Sequence, residues 1–197
     1  MTFLPSTYTK IPTSSNYMKF QDGENNFRVL SSAITGFQYW NVEKKPIRSR
    51  EAFRGIPADI QVDDDGGFKI NHFWAFVVWN YEENKVQILE VTQKQIMKAI
   101  KALADNPKWG DPHGYDICVK RSGMGFDTEY LTQPSPHSKL EDKIAAAYAD
   151  TNINLDALFE GQDPFTTQPA EQTADLAQTT HQEVMDKIRE EDIPPFN

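Results

Sequence analysis

Cysteine is almost missing from this 197-residue chain: Cys118 stands alone, so no disulfide can form within it and a reducing compartment is the expected setting. Long hydrophobic runs are missing too. No apolar stretch approaches the roughly 20 residues needed to cross a bilayer. The opening Met1-Thr2-Phe3-Leu4-Pro5 has neither the basic nor the apolar region of a secretory leader. The expectation is a soluble cytoplasmic protein with no membrane partner. Signatures of metal and catalytic chemistry are equally scarce. His72, His113, His137 and Cys118 show no ligand-pair spacing. The run Asp63-Asp64-Asp65 has no partner acid at a useful distance and reads as a turn before Gly66-Gly67. Neither a phosphate-binding glycine motif nor a nucleophile elbow occurs. No cofactor and no catalysis are expected.

The last third is short of positive charge and of aromatic rings. Residues 1–130 carry 16 Lys and Arg against 16 Asp and Glu, whereas residues 131–197 carry 4 against 13, so the whole net charge of −9 sits at the end of the chain. All four tryptophans, Trp40, Trp74, Trp79 and Trp109, precede residue 110. From about Gly161 the sequence is too polar to offset the entropy of ordering it. These contrasts divide the chain into an arm at 1–16, a folded domain at 17–135, a helical or extended linker at 136–160, and a flexible acidic tail at 161–197. In the linker Leu140, Ile144, Ala147 and Tyr148 recur at helical spacing.

What the domain has in quantity is β pattern. Residues 27–40 read as one long strand with Gly36 inside it as a bulge or bend, followed by an irregular stretch to Gly67. His72–Tyr81 and Lys85–Val91 read as a hairpin, and Thr92 as the cap of a helix reaching Pro107. Strands are expected again at 115–121 and 126–132, on either side of the Ser122-Gly123-Met124-Gly125 turn. This is the element order of an OB-fold: a five-stranded Greek-key barrel with its helix between strands three and four.

Between the first two of those strands lies the densest basic run, Lys44, Lys45, Arg48, Arg50 and Arg54, broken only by Glu51 and interleaved with Phe53. Tyr39 and Trp40 precede it. In an OB-fold this loop borders the oligonucleotide-binding face. Cations along a groove plus rings on which bases stack are what a single strand requires, at about 1–3 kcal/mol per stacked base. Trp74 is preferred over Trp79 as a further ring, although packing in the core is the commoner fate of a strand aromatic. Lys120 and Arg121, at the end of the fourth strand, are placed to touch phosphates. Their alternative is an ordinary solvent-facing strand end.

Several segments resemble tailed-phage and prophage single-stranded DNA-binding proteins. They are Tyr17–Asn25 (YMKFQDGEN), Phe27-Arg28-Val29-Leu30, Lys45-Pro46-Ile47-Arg48-Ser49, Gly114-Tyr115-Asp116-Ile117 and Lys120-Arg121-Ser122-Gly123. The likeness runs from about residue 16 to 133. It implies an OB-fold that coats and protects single strands in replication, recombination and repair without reading sequence. The last residues, Glu190-Glu191-Asp192-Ile193-Pro194-Pro195-Phe196-Asn197, resemble the acidic tip of bacterial single-stranded DNA-binding proteins. That likeness implies recruitment of replication and recombination proteins through residues 190–196. The additional proline and the final Asn197 depart from the pattern, since the α-carboxylate lies one residue beyond the ring. A domain without net positive charge also keeps a rival open, a non-catalytic protein-interaction adaptor built on an OB-like domain.

Overall fold

A computed structural model describes residues 15–166; most of the expected arm and all of the acidic tip lie outside them. The elements in chain order are β1 (Tyr17–Met18), β2 (Gly23–Val29), β3 (Ile34–Trp40), β4 (Pro46–Ser49), β5 (Asn71–Asn80), β6 (Lys85–Val91), α1 (Lys94–Asp105), β7 (Asp116–Ser122), β8 (Glu129–Pro134) and α2 (Asp142–Ala149). The eight strands form one sheet, so the protein is mainly β. No described helix is long and apolar enough to cross a membrane.

The expected long strand is real but interrupted. β2 and β3 both run antiparallel to β5, with Val29 opposite Val78 and Ile34 opposite Ala75. Four residues, Leu30–Ala33, therefore face only two of β5, and the surplus bulges out. The break is stapled: the Leu30 amide donates to the Val77 carbonyl at 2.9 Å, and the Val77 amide donates to Ser31 Oγ at 2.9 Å. The bulge or bend expected at Gly36 is thus at 30–33. Gly36 has another task, because a Cβ there would come within 2.4 Å of the Ser49 carbonyl oxygen on β4.

The β5–β6 hairpin forms where expected, turning through Asn84 at φ 52°. α1 starts after Gln93 rather than on a Thr92 cap, and buries Ile96, Met97 and Ile100. β2 pairs with β7, and β7 with β8. Neither β6 nor β8 pairs with the other, so the sheet is not zipped shut there. α1 covers that opening, and Gln95 Oε1 accepts from the outward Tyr130 amide of β8 at 3.2 Å.

Both faces of β5 are buried. Phe76 and Val78, with partly buried Trp74, face α1, β7 and Tyr115 in the inner core. Phe73, Ala75, Val77 and Trp79 form the outer face, together with Ile88 of β6. The outer face is covered by the segment after Ser138: Ile144 of α2, then Leu155 and Leu158, then Phe159 and Phe165. Burying a large apolar side chain is worth about 1.5–3 kcal/mol. Uncovering this face would thus cost on the order of 10 kcal/mol, comparable to the whole stability of a domain. The segment expected as a linker is a second layer of the fold, and the compact unit runs to Phe165.

A buried cation anchors that layer. Arg28, 1% exposed, donates from Nε to Asp116 Oδ1 at 2.6 Å, and from its amino groups to the Ser138 hydroxyl at 2.6 Å and carbonyl at 3.2 Å. Tyr81 completes the cluster by donating to Asp116 Oδ1 at 2.9 Å. Burial, helped by that carboxylate, pushes the Tyr81 hydroxyl up to about 12. The chain leaves β8 at this point, so Arg28 fixes where the covering segment begins.

Candidate nucleic-acid interface

The residues between β3 and β5 build an arm rather than a loose loop. A tight turn carries Lys44 at φ 59°, with the Asn41 amide donating to the Lys45 carbonyl at 3.0 Å. The returning segment runs beside it: Asn41 bridges Ile60, and the Gln61 amide donates to the Trp40 carbonyl at 2.7 Å. Asp63–Gly67 then closes a second turn, the Asp63 amide bonding the Gly67 carbonyl at 2.7 Å. Val62 and Phe68 bridge across its base. Among the described residues no three His, Cys, Asp or Glu side chains converge to hold a metal.

Strand alternation sorts the aromatic residues here. Asn41 and Ile60 turn inward and are buried, so Trp40 and Val42 turn outward, 47% and 67% exposed. Tyr39, one position earlier, is buried. Its hydroxyl donates to Asp59 at 2.7 Å and its ring meets Phe53 edge-on at 5.0 Å. Tyr39 has no open face to offer a base, and Phe53 is half spent on packing against it. Ile56, Val62 and Phe68 add further exposed apolar surface to the arm.

The basic run is also divided by the fold. Pro46–Ser49 is a strand paired with β3, not loop. Arg48 points inward from it and is bound to Glu90 at 2.7 Å and Gln38 at 3.1 Å, with its side chain only 9% exposed. Breaking such a pair leaves a carboxylate stranded, so this cation is committed. Lys45 is paired with Glu43 at 2.9 Å and Lys69 with Asp63 at 3.2 Å, but both pairs stand in solvent. Exposed pairs are worth about 0–1 kcal/mol, which a phosphate can replace. Lys44 and Arg54 are exposed. Arg50 lies apart: it bonds Asp156 at 2.9 Å and stacks 4.3 Å over the Phe159 ring of the covering layer.

The remaining sites fall elsewhere. Trp79 is in the outer core, while Trp74 is half buried and lines an apolar groove of about 370 Å³ beside α1. Lys120 is exposed on the outer face of β7, across from Glu24. Arg121 turns the other way, donating to the Phe20 carbonyl at 3.3 Å. Cys118 is poorly suited to nucleophilic chemistry, since burial and nearby Glu24 push its thiol up.

Two features escape sequence reasoning: Phe68 with Lys69 on the arm, and the tip of the β7–β8 hairpin. There Met124 is 83% exposed and Phe126 wholly exposed. The signal was present, since Gly123 and Gly125 flank Met124 at φ 79° and 60° and allow a turn that turns its apolar residues outward.

Comparison with known proteins yields one informative relative. No family model matches the chain, and no solved structure matches it. A protein of Escherichia phage T5 described as a "Probable ssDNA-binding protein" is 27% identical over 172 aligned residues, covering 73% of this chain and 66% of the phage protein. This chain thus spans less than two thirds of that relative's length. Along most of its own length it is similar to a phage protein described as a probable single-stranded DNA-binding protein.

Proposed function

We propose that this protein binds single-stranded DNA without reading its sequence and coats it during phage replication and recombination. The observation that carries the reading is Trp40. It is a half-exposed indole on an ordered arm, beside replaceable cations Lys44 and Lys45. An exposed ring among exposed cations has the parts that stacking with phosphate pairing uses, the sequence-tolerant mode of holding a single strand. Bases stack on Trp40 and Phe68, and phosphates meet Lys44, Lys45, Arg54 and Lys69. The OB-fold belongs to this reading: β2–β3, β5, β6, β7 and β8 serve as the five barrel strands, with α1 between the third and fourth. The arm then occupies the loop between strands one and two. The acidic tail, including Glu190–Phe196, recruits replication and recombination proteins in the host cytoplasm, and the protein performs no catalysis.

The test is a fluorescence titration with mixed-sequence oligonucleotides, single against double stranded, at several salt concentrations. Tryptophan quenching by the single strand is expected. Four phosphate contacts give a log–log salt slope of roughly −3. A flat salt response refutes the phosphate assignment. Absence of any response favours the adaptor reading, for which exposed Val42, Ile56 and Val62 would be the docking surface.

A further inference from the structure

The face that an OB-fold offers to a single strand, the outside of its second and third strands, is closed in this chain. β5 and β6 present Phe73, Ala75 and Ile88 there, and Leu158, Phe159 and Phe165 of the covering layer pack against them. A strand that extends beyond the arm therefore follows other surface. Among the described residues, three Phe, Trp or Tyr side chains are exposed: Trp40 and Phe68 on the arm, and Phe126 at the tip of the β7–β8 hairpin. The tip is held in place. Thr128 Oγ1 donates to the Gly125 carbonyl at 2.9 Å, and a Cβ at Gly123 would collide with the Asp127 carbonyl. Gln95 of α1 accepts from the Tyr130 amide, and the four residues from Tyr130 back to Phe126 span at most roughly 14 Å. The Phe126 ring thus stands near the first turns of α1.

That end of α1 is built against its own stability. Lys94 and Lys98 are exposed i, i+4 neighbours, where like charges repel. Lys94 also lies at the positive end of the helix dipole, and no acid stands in the first turn. Among the described residues neither lysine has an ion-pair partner, unlike Lys101, which bonds Asp105. The acids of the tip, Asp127 and Glu129, pair with neither. Such departures from local consistency are expected at functional sites.

We propose that a single strand held by the arm has a second anchor here: a base stacks on Phe126, and phosphates pair with Lys94 and Lys98. This rests on the single-stranded DNA reading above. The lysines alone would suit any polyanion; a lone ring open to solvent adds the stacking that a base supplies. The set repeats at the tip what Trp40, Lys44 and Lys45 offer on the arm. Phosphates here displace no protein partner, so each pairing is gained without breaking an existing bond.

The experiment titrates full-length protein, Phe126→Ser and the double variant Lys94→Gln/Lys98→Gln with poly-dT of increasing length. Lengths run from about 4 to about 16 nucleotides, the range one OB-fold covers. All three side chains are exposed, so the variants keep the fold. On the shortest strands, which engage only the arm, the variants are expected to match the wild type. On the longest, Phe126→Ser should lose roughly 5- to 140-fold in affinity, the worth of one stacked base. There the wild-type salt slope should steepen from roughly −3 to roughly −4, and the double lysine variant should return it to roughly −3. Lys94→Arg/Lys98→Arg should restore both affinity and slope. Wild-type affinity of both variants at every length overturns the second anchor and leaves the tip to a protein partner. An equal loss at all lengths also overturns it, by making the tip the primary site. Failure of the wild type to bind any strand refutes the DNA reading itself.

Discussion

Replacing Trp40 by alanine should separate binding from folding, and replacing Trp79 by alanine should do the reverse. Trp40 presents 47% of its surface to solvent, about 100 Å² of an aromatic side chain that buries 150–250 Å² when enclosed. Covering that area with a base is worth roughly 2.5 kcal/mol at about 25 cal/mol per Å², within the 1–3 kcal/mol measured for stacked bases. The affinity of Trp40→Ala for a short single strand should thus fall by roughly 5- to 140-fold, at tenfold per 1.4 kcal/mol. Its stability should change by no more than about 0.5 kcal/mol. Trp79, 6% exposed under α2, should cost about 3–5 kcal/mol of stability when truncated to alanine, with the affinity of the folded fraction kept. Fluorescence anisotropy with a labelled oligonucleotide and urea unfolding followed by circular dichroism give the two numbers for each variant. A Trp40→Ala protein that binds normally would refute the stacking platform. One that unfolds several kcal/mol more easily would show the exposed indole to be part of the core.

Arg28→Ala should destabilise the fold by about 3–5 kcal/mol, because it strands the Asp116 carboxylate and releases the Ser138 anchor; urea unfolding checks this. The Tyr81 hydroxyl, held neutral up to about 12 by burial and its bond to Asp116, adds stability that is complete below its ordinary value near 10. That stability is lost as pH rises through 12, so Tyr81→Phe should lessen the loss in an unfolding series between pH 10 and 12, the remainder belonging to Tyr17, Tyr39 and Tyr115, whose hydroxyls burial also pushes up. Truncation after Thr166 should leave the domain folded and tighten DNA binding at low salt, since a competing polyanion is removed. Partner capture should disappear with it, as pull-downs with and without the tail would register. Truncation after residue 135 should abolish cooperative unfolding, because it strips Leu158, Phe159 and Ile144 from the outer face of β5.

Much of the β order was legible because its signals are local. The hairpin of β5 and β6, the helix α1 and the turn at Ser122–Gly125 follow from alternation, spacing and glycine. The boundary at residue 135 was not legible. A β5 with two apolar faces requires two covers, and nothing local says that the second is Ile144 and Leu158, some 70 residues away. Composition misled there, since Ser138–Phe165 is polar on average and apolar only at the few positions that touch the sheet. The basic run was legible as a charge cluster, but not as separate fates. Arg48 and Lys45 look alike in sequence, yet strand pairing turns one toward Glu90 and leaves the other in solvent.

By itself the sequence determined how charge and rings are distributed along the chain: a single cysteine, cations interleaved with rings between residues 39 and 54, and all net negative charge placed beyond residue 130. These are sums and spacings along a line, so no fold is needed to read them. Tertiary structure decided which members of each set are free to act. Tyr39 and Trp40 are adjacent and both aromatic, but alternation on a strand sends one inward to Asp59 and the other out to solvent. That choice depends on which face of β3 is covered, a fact held by the packing and not by the residues themselves.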